Sequence, residues 1–199
     1  MLYFLLHDAA PFNDRLVPCL AASWRRRTFG PLVELAADLR PTLVDFAERF
    51  RLTADERPML AQLTADQPFD RRLWRHVAGE VLLYAAADAP PIQTDSEALA
   101  ILVAADQRET VRQAHQGSRE LDFDGVPYRP GRAGWHDTTN VAGLADELGR
   151  IDPGGWSGAA LAGDEPAEEL AFARECFTAL RTMYEQARQR DQVIICEDI

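Results

Sequence analysis

The chain has 199 residues, a net charge of −11, three cysteines and no lysine, so all 21 of its strong cations are arginines. A chain of this length can bury roughly 70% of its unfolded surface without help from disulfide or metal, and Cys19, Cys176 and Cys196 are odd in number and far apart, which argues against a disulfide framework or a structural zinc site. The acidic balance disfavours nucleic acid as a partner, and the missing lysine excludes pyridoxal-type Schiff-base chemistry and a Walker-type phosphate site.

Residues 2–6 in "MLYFLLHDA" read as a short buried strand, too brief for a stable helix. Asp8 is placed as an N-cap with Pro11 three positions on. The arrangement recurs at Asp55 with Pro58 and, one residue tighter, at Asp164 with Pro166, where proline loses no hydrogen bond because the first helical N–H groups lack acceptors. Helices are predicted over 12–27, over 31–50 with a break at Pro41, over 55–63 and over 70–87. In the second of these Leu32, Leu35, Leu39, Leu43, Phe46 and Phe50 form one apolar face. A helical pair at 95–104 and 106–115 follows, the first opening on Thr94 to Glu97 with capping-box spacing. In "RELDFDGVPYR" the Asp124-Gly125 pair predicts a type I′ hairpin near 120–129, with Asp122 opposite Pro127 and the proline strand at a sheet edge.

Helices over 138–149 and 166–189 come next, the first capped by Asp137 or Thr138. The second buries Leu170, Ala173, Phe177, Leu180, Tyr184 and Ala187, and pairs Arg181 with Glu185 on its other face. Residues 192–196, with Val193, Ile194 and Ile195 in succession, read as a strand covered on both faces. The simplest assembly is a helix-rich α+β domain over 1–199. Its small sheet joins the two terminal strands and the hairpin, and the helical region 12–115 is a candidate subdomain. No apolar run reaches the ~20 residues of a membrane span, and the start of the chain lacks the features of a signal peptide; a cytoplasmic protein off the membrane is expected.

"TALRTMYEQARQRDQVIICEDI", preceded by "TTNVAGLADELGRID", resembles the C-terminal half of the YfbM-like family of small bacterial proteins. There a hairpin and short helix precede a long helix with an L-x-x-x-Y-x-x-A stretch and a terminal apolar strand. Leu180, Tyr184 and Ala187 hold the matching positions, with residues 193–195 as the strand, and the likeness covers roughly the last 80 residues, all of them of core type. The resemblance implies an α+β cytoplasmic protein with no established activity or catalytic residues. Some relatives have the look of toxin-neutralising immunity proteins.

Arg72, His76, Glu80 and Tyr84 stand four apart along one helix, so His76, Glu80 and Tyr84 share a side. A desolvated carboxylate beside an imidazole can act as a general acid or base, which makes Glu80 with His76 the candidate catalytic pair of a small hydrolase or transferase. A structural pair is the stronger competing reading, because buried ion pairs are common without catalysis. His7-Asp8 at a strand-to-helix junction is a second candidate. Trp135 and His136 in "GWHDTTN", with Trp156 in "PGGWSG", are candidate partner-binding residues, since aromatic anchors dominate interfaces, although core packing would use them equally well. No nucleotide, hydrolase or metalloprotease signature is present, and no second histidine stands at zinc spacing from His115. The expected function is therefore protein interaction, in an immunity-like role or otherwise, without cofactor or metal. Self-association through the hairpin edge is compatible with it.

Overall fold

The computed structural model describes residues 2–87, 92, 94, 96–121, 133–161 and 163–198. Strand β1 (Leu2–Asp8) leads through α1 (Ala9–Pro11) and a π-helical turn (Phe12–Leu16) into α2 (Val17–Arg26), α3 (Gly30–Arg49), α4 (Met59–Gln62), α5 (Arg71–Ala85), α6 (Ser96–Leu102) and α7 (Arg108–Gln116). Then come β2 (Arg119–Glu120), β3 (Ala133–His136), α8 (Thr138–Gly149), α9 (Pro166–Gln189) and β4 (Gln192–Asp198). The fold is α+β, helix-rich with a small antiparallel sheet. The chain divides into two compact units, a sheet unit of Met1–Ala9, Asp88–Glu120 and Gly131–Ile199 and a helical unit of Ala10–Ala87 and Leu121–Pro130. The Asp124-Gly125 turn and the Asp122–Pro127 pair lie outside the described residues.

In the sheet unit the strands run in the order β1-β4-β3-β2, all pairings antiparallel. The terminal strands pair along their whole length, from Leu2 with Asp198 to Asp8 with Gln192, so the two apolar ends of the chain do meet in one sheet. Val193 and Ile195 alternate with Ile194 and Cys196, and all four are buried, which is why β4 carries consecutive apolar residues. Helices α8 and α9 pack on each other and on β4, with Ala173, Phe177, Leu180, Tyr184 and Ala187 of α9 buried as its spacing predicts. At the end of α7 two glycines let backbones touch. A Cβ on Gly134 of β3 would lie 1.9 Å from the Gln116 carbonyl oxygen, and Gly117 holds a left-handed φ of 78°.

Several local expectations are corrected. Asp8 ends β1, and its carboxylate accepts from Gln192 Nε2 at 3.0 Å, across the strand pair, rather than capping a helix. Arg119 faces Trp135 and Glu120 faces Gly134; β3 is fixed by β4, with Gly134 opposite Cys196, and the pairing of β2 follows from that. Thr94 Oγ1 is buried without a hydrogen bond among the described residues, so the Thr94–Glu97 capping box is not formed. Glu185 pairs with Arg188 at 2.6 Å, while the Arg181 guanidinium lies over the Phe177 ring, 5.8 Å from its centroid. Asp137 does cap α8, accepting from the Asn140 N–H at 2.9 Å.

In the helical unit α3 packs against α2, α4 and α5. The Trp74 indole donates to Ser23 Oγ at 3.1 Å and the Ser23 hydroxyl to the Thr28 carbonyl at 2.6 Å, which ties α5 to the end of α2. Helix α3 runs unbroken through Pro41, against the predicted break. Proline leaves the Ala37 carbonyl without its i+4 donor, but Leu32 and Leu35 before it and Leu43 after it are buried on one side, and this packing holds both halves in line. The predicted helix over 55–63 is two pieces, a 3₁₀ turn (Ala54–Glu56) and α4. Thr53, not Asp55, caps the turn, its N–H and hydroxyl both donating to Glu56 Oε2 at 2.8 and 2.7 Å.

Candidate functional site

Helix α3 has two long faces. One carries Leu32, Leu35 and Leu43 into the core. The other carries Val33, Ala36, Arg40, Val44 and Ala47, again at three- and four-residue steps, and it borders a groove of about 620 Å³ whose opposite wall is Arg57 to Leu63, with α4 at its centre. Buried Leu43, Leu60 and Leu63 form the floor. Val44, 48% exposed, stands on the rim. The small alanines of α3 leave room that leucines would fill, and the volume falls within the range of roughly 300–1,000 Å³ usual for ligand sites.

The groove is also cationic. Arg40, Arg51 and Arg57 edge it, each exposed and none in an ion pair among the described residues, against the single carboxylate of Glu48. Elsewhere on α3 two ion pairs form, Arg49 with Asp45 at 2.8 Å and Asp38 with Arg15 of the π-helical turn. Charge is likewise uneven between the units. Arginines and acids balance at 12 each in the helical unit, whereas the sheet unit has 9 arginines against 20 acids, so the whole net charge of −11 falls on the latter.

Glu80, the candidate general base, builds this groove. Its Oε1 accepts from the Met59 N–H at 3.1 Å and its Oε2 from the Leu60 N–H at 2.7 Å, which satisfies the free amides at the start of α4 with a negative charge at the positive end of that short helix. His76 Nε2 lies 3.2 Å from Oε1, but the imidazole is 63% exposed, whereas the glutamate side chain is 15% exposed. Tyr84, on the same side of α5, packs edge-on against Phe46 at 5.1 Å; burial, and secondarily the Glu80 charge, pushes its hydroxyl up to about 12. Arg72 is exposed at the opposite end of the row. The row that the four-residue spacing brings together is thus real, and its carboxylate is spent on backbone amides of the groove wall.

Of the aromatic candidates, His136 is buried and the two tryptophans are half-buried. His136 is 0% exposed, which removes it from any contact surface. Its Nε2 lies 3.1 Å from the Gln113 carbonyl and must donate to it, so Nδ1 accepts from the Ser118 hydroxyl at 2.7 Å. Burial lowers the ring to about 4, which keeps it neutral and makes the exposed Ser118 beside it a poorly activated nucleophile. Trp135 is half-buried, with the Arg119 guanidinium 5.3 Å over its ring and Arg119 in turn 2.7 Å from Asp137. Trp156 is half-buried edge-on to Phe177 at 5.1 Å, and Arg174 pins its loop by donating to the carbonyls of Pro153, Gly154 and Trp156. His7 is buried in β1. Burial holds the Cys19 thiol at about 11 and the Cys196 thiol at about 12, so neither is a thiolate at neutral pH. Among the described residues no cluster of His, Cys, Asp and Glu could hold a metal ion, and no helix is long and apolar enough to cross a membrane.

The groove was not found from the sequence. Its signal was present as a second stripe on α3, Val33 to Ala47, beside the leucine stripe; together they make the apolar arc wider than one core contact requires. Compared with family models, curated proteins and solved structures, the chain matches none.

Proposed function

We propose that the chain is a protein-interaction module without catalytic activity of its own, and that it receives its partner in the groove between α3 and α4. The observation that carries this reading is a concave apolar surface edged by three arginines that find no acid within the described fold. The state of the polar candidates supports it: Glu80 holds backbone amides and His136 is locked neutral between a hydroxyl and a carbonyl. Kinship of the last stretch of the chain with the YfbM-like proteins, an immunity-like role and a cytoplasmic site of action belong to the same proposal. No cofactor or metal is needed for it.

The test is capture of the tagged chain's partner from an extract of its own source at low and at about 0.5 M salt, where exposed charge pairs are screened. The comparison is Val44→Glu, a substitution at an exposed rim position that leaves the core intact. A stoichiometric protein that survives high salt on the parent chain and is lost on Val44→Glu, with unchanged circular dichroism, is the expected result. A partner held equally by both chains would move the interface off the groove. A bait that stays empty under both conditions would remove the interaction reading.

A further inference from the structure

We infer that the occupant of the groove is a single amphipathic helix of the partner, apolar on one stripe and acidic along its edges. The inference rests on the interaction reading and adds the chemistry of the partner segment. Three observations set the shape. The face of α3 that borders the groove runs from Val33 to Glu48, which at 1.5 Å per residue is about 22 Å of continuous wall, the length of roughly four helical turns. Ala36 and Ala47 on that wall let a second backbone come close, as helix-in-groove recognition needs. The opposite wall is short, with Pro58 on it and Leu60 and Leu63 at its foot on the floor, so the slot is open along its length rather than closed into a tunnel around a narrow chain.

Charge then selects among helices. Arg40 lies part-way along the α3 wall, Arg51 just beyond its end and Arg57 across from it, so cations stand on both sides of the slot. Asp and Glu at the positions flanking an i, i+3, i+4, i+7 apolar stripe would meet them, while lysines there would face three unmatched guanidiniums. Arginine also suits the task because its planar fork takes a carboxylate in two parallel bonds. The sheet unit, with its surplus of acids, would repel such a helix, and the balanced helical unit does not.

The test uses three labelled or competing probes against the full chain. One is a synthetic peptide of about 15 residues with leucine on the stripe and glutamate elsewhere, the second is its twin with lysine for glutamate, and the third is dodecanoate, an anionic single chain. Fluorescence polarisation should show the glutamate peptide binding at least tenfold tighter than the lysine twin. The Arg40→Glu/Arg57→Glu variant should weaken the glutamate peptide at least tenfold, and Ala47→Trp, which fills the slot without touching charge, should abolish binding. Equal binding of the twins, loss of neither variant's affinity, or no binding of the glutamate peptide at ~1 mM overturns the inference. Binding of dodecanoate with displacement by Ala47→Trp, and of neither peptide, would overturn it in favour of a lipid-like anion. If the peptide fails while the captured partner still depends on Val44, the helix is wrong and the interaction module stands.

Discussion

The carboxylate of Glu80 bonds two backbone amides some twenty positions earlier in the chain, and this decides what its replacement does. Glu80→Gln puts an NH₂ group where an acceptor is needed and removes the negative charge from the start of α4, so it should cost about 1–2 kcal/mol of stability. His76→Ala, at an exposed position beside it, should stay within about 0.5 kcal/mol. Urea unfolding of both variants checks this; equal losses would mean that Glu80 does not hold α4. The sequence shows a carboxylate on an increasingly apolar helix, sharing a side with His76, and that much is correct. It cannot show the partners, because backbone amides carry no sequence signal of their own. The same holds for His136, a candidate contact residue from its sequence: its burial, and the Gln113 carbonyl and Ser118 hydroxyl that lock it, are visible only in three dimensions.

Elements with strong punctuation were legible. Helix α8 starts at its Asp137 cap and α9 starts at Pro166, both with the predicted bounds, and β4 follows from three apolar β-branched residues in a row. Elements set by tertiary contact were not. Buried leucines on both sides carry α3 through Pro41, and α4 is four residues long because the Glu80 side chain supplies the cap that its own sequence lacks. The seam of α7 and β3 is the sharpest case of an element placed by a missing side chain. Gly134→Ala would drive a methyl into the Gln116 carbonyl, and backbone cannot step aside as a flexible side chain can. We expect a loss of about 3 kcal/mol, measurable as a lowered denaturation midpoint. A change below about 0.5 kcal/mol would show that the seam is looser than the 1.9 Å approach implies.

At the scale of the whole molecule, two buried groups of the sheet unit pull stability in opposite directions as pH changes. Burial raises the Glu197 carboxyl to about 7, so the folded chain keeps a proton that the unfolded chain releases near 4.5, and the stability this group contributes is lost as pH rises through 7. Burial lowers His136 to about 4, so its contribution is complete above 6.5 and is lost as pH falls towards 4. Each is worth about 3 kcal/mol, and between pH 4.5 and 6.5 the slopes nearly cancel. Glu197→Gln should expose the His136 slope alone, with stability rising to pH 6.5 and then level, while the parent chain declines above pH 6.5. Urea midpoints at four pH values from 5 to 8 decide it; superimposable profiles would show that Glu197 titrates normally. The pairing of β1 with β4 has a consequence in time. During synthesis β1 can find this neighbour only when β4 follows it off the ribosome, roughly 10–40 s later at ordinary elongation rates. Until then β1 is an apolar ribbon without a mate, and β3 lacks the strand that fixes its register. The contacts that close this sheet span nearly the largest sequence separation the chain allows, so its formation should be the slow, late step of folding, with the newborn chain most prone to aggregate just before it.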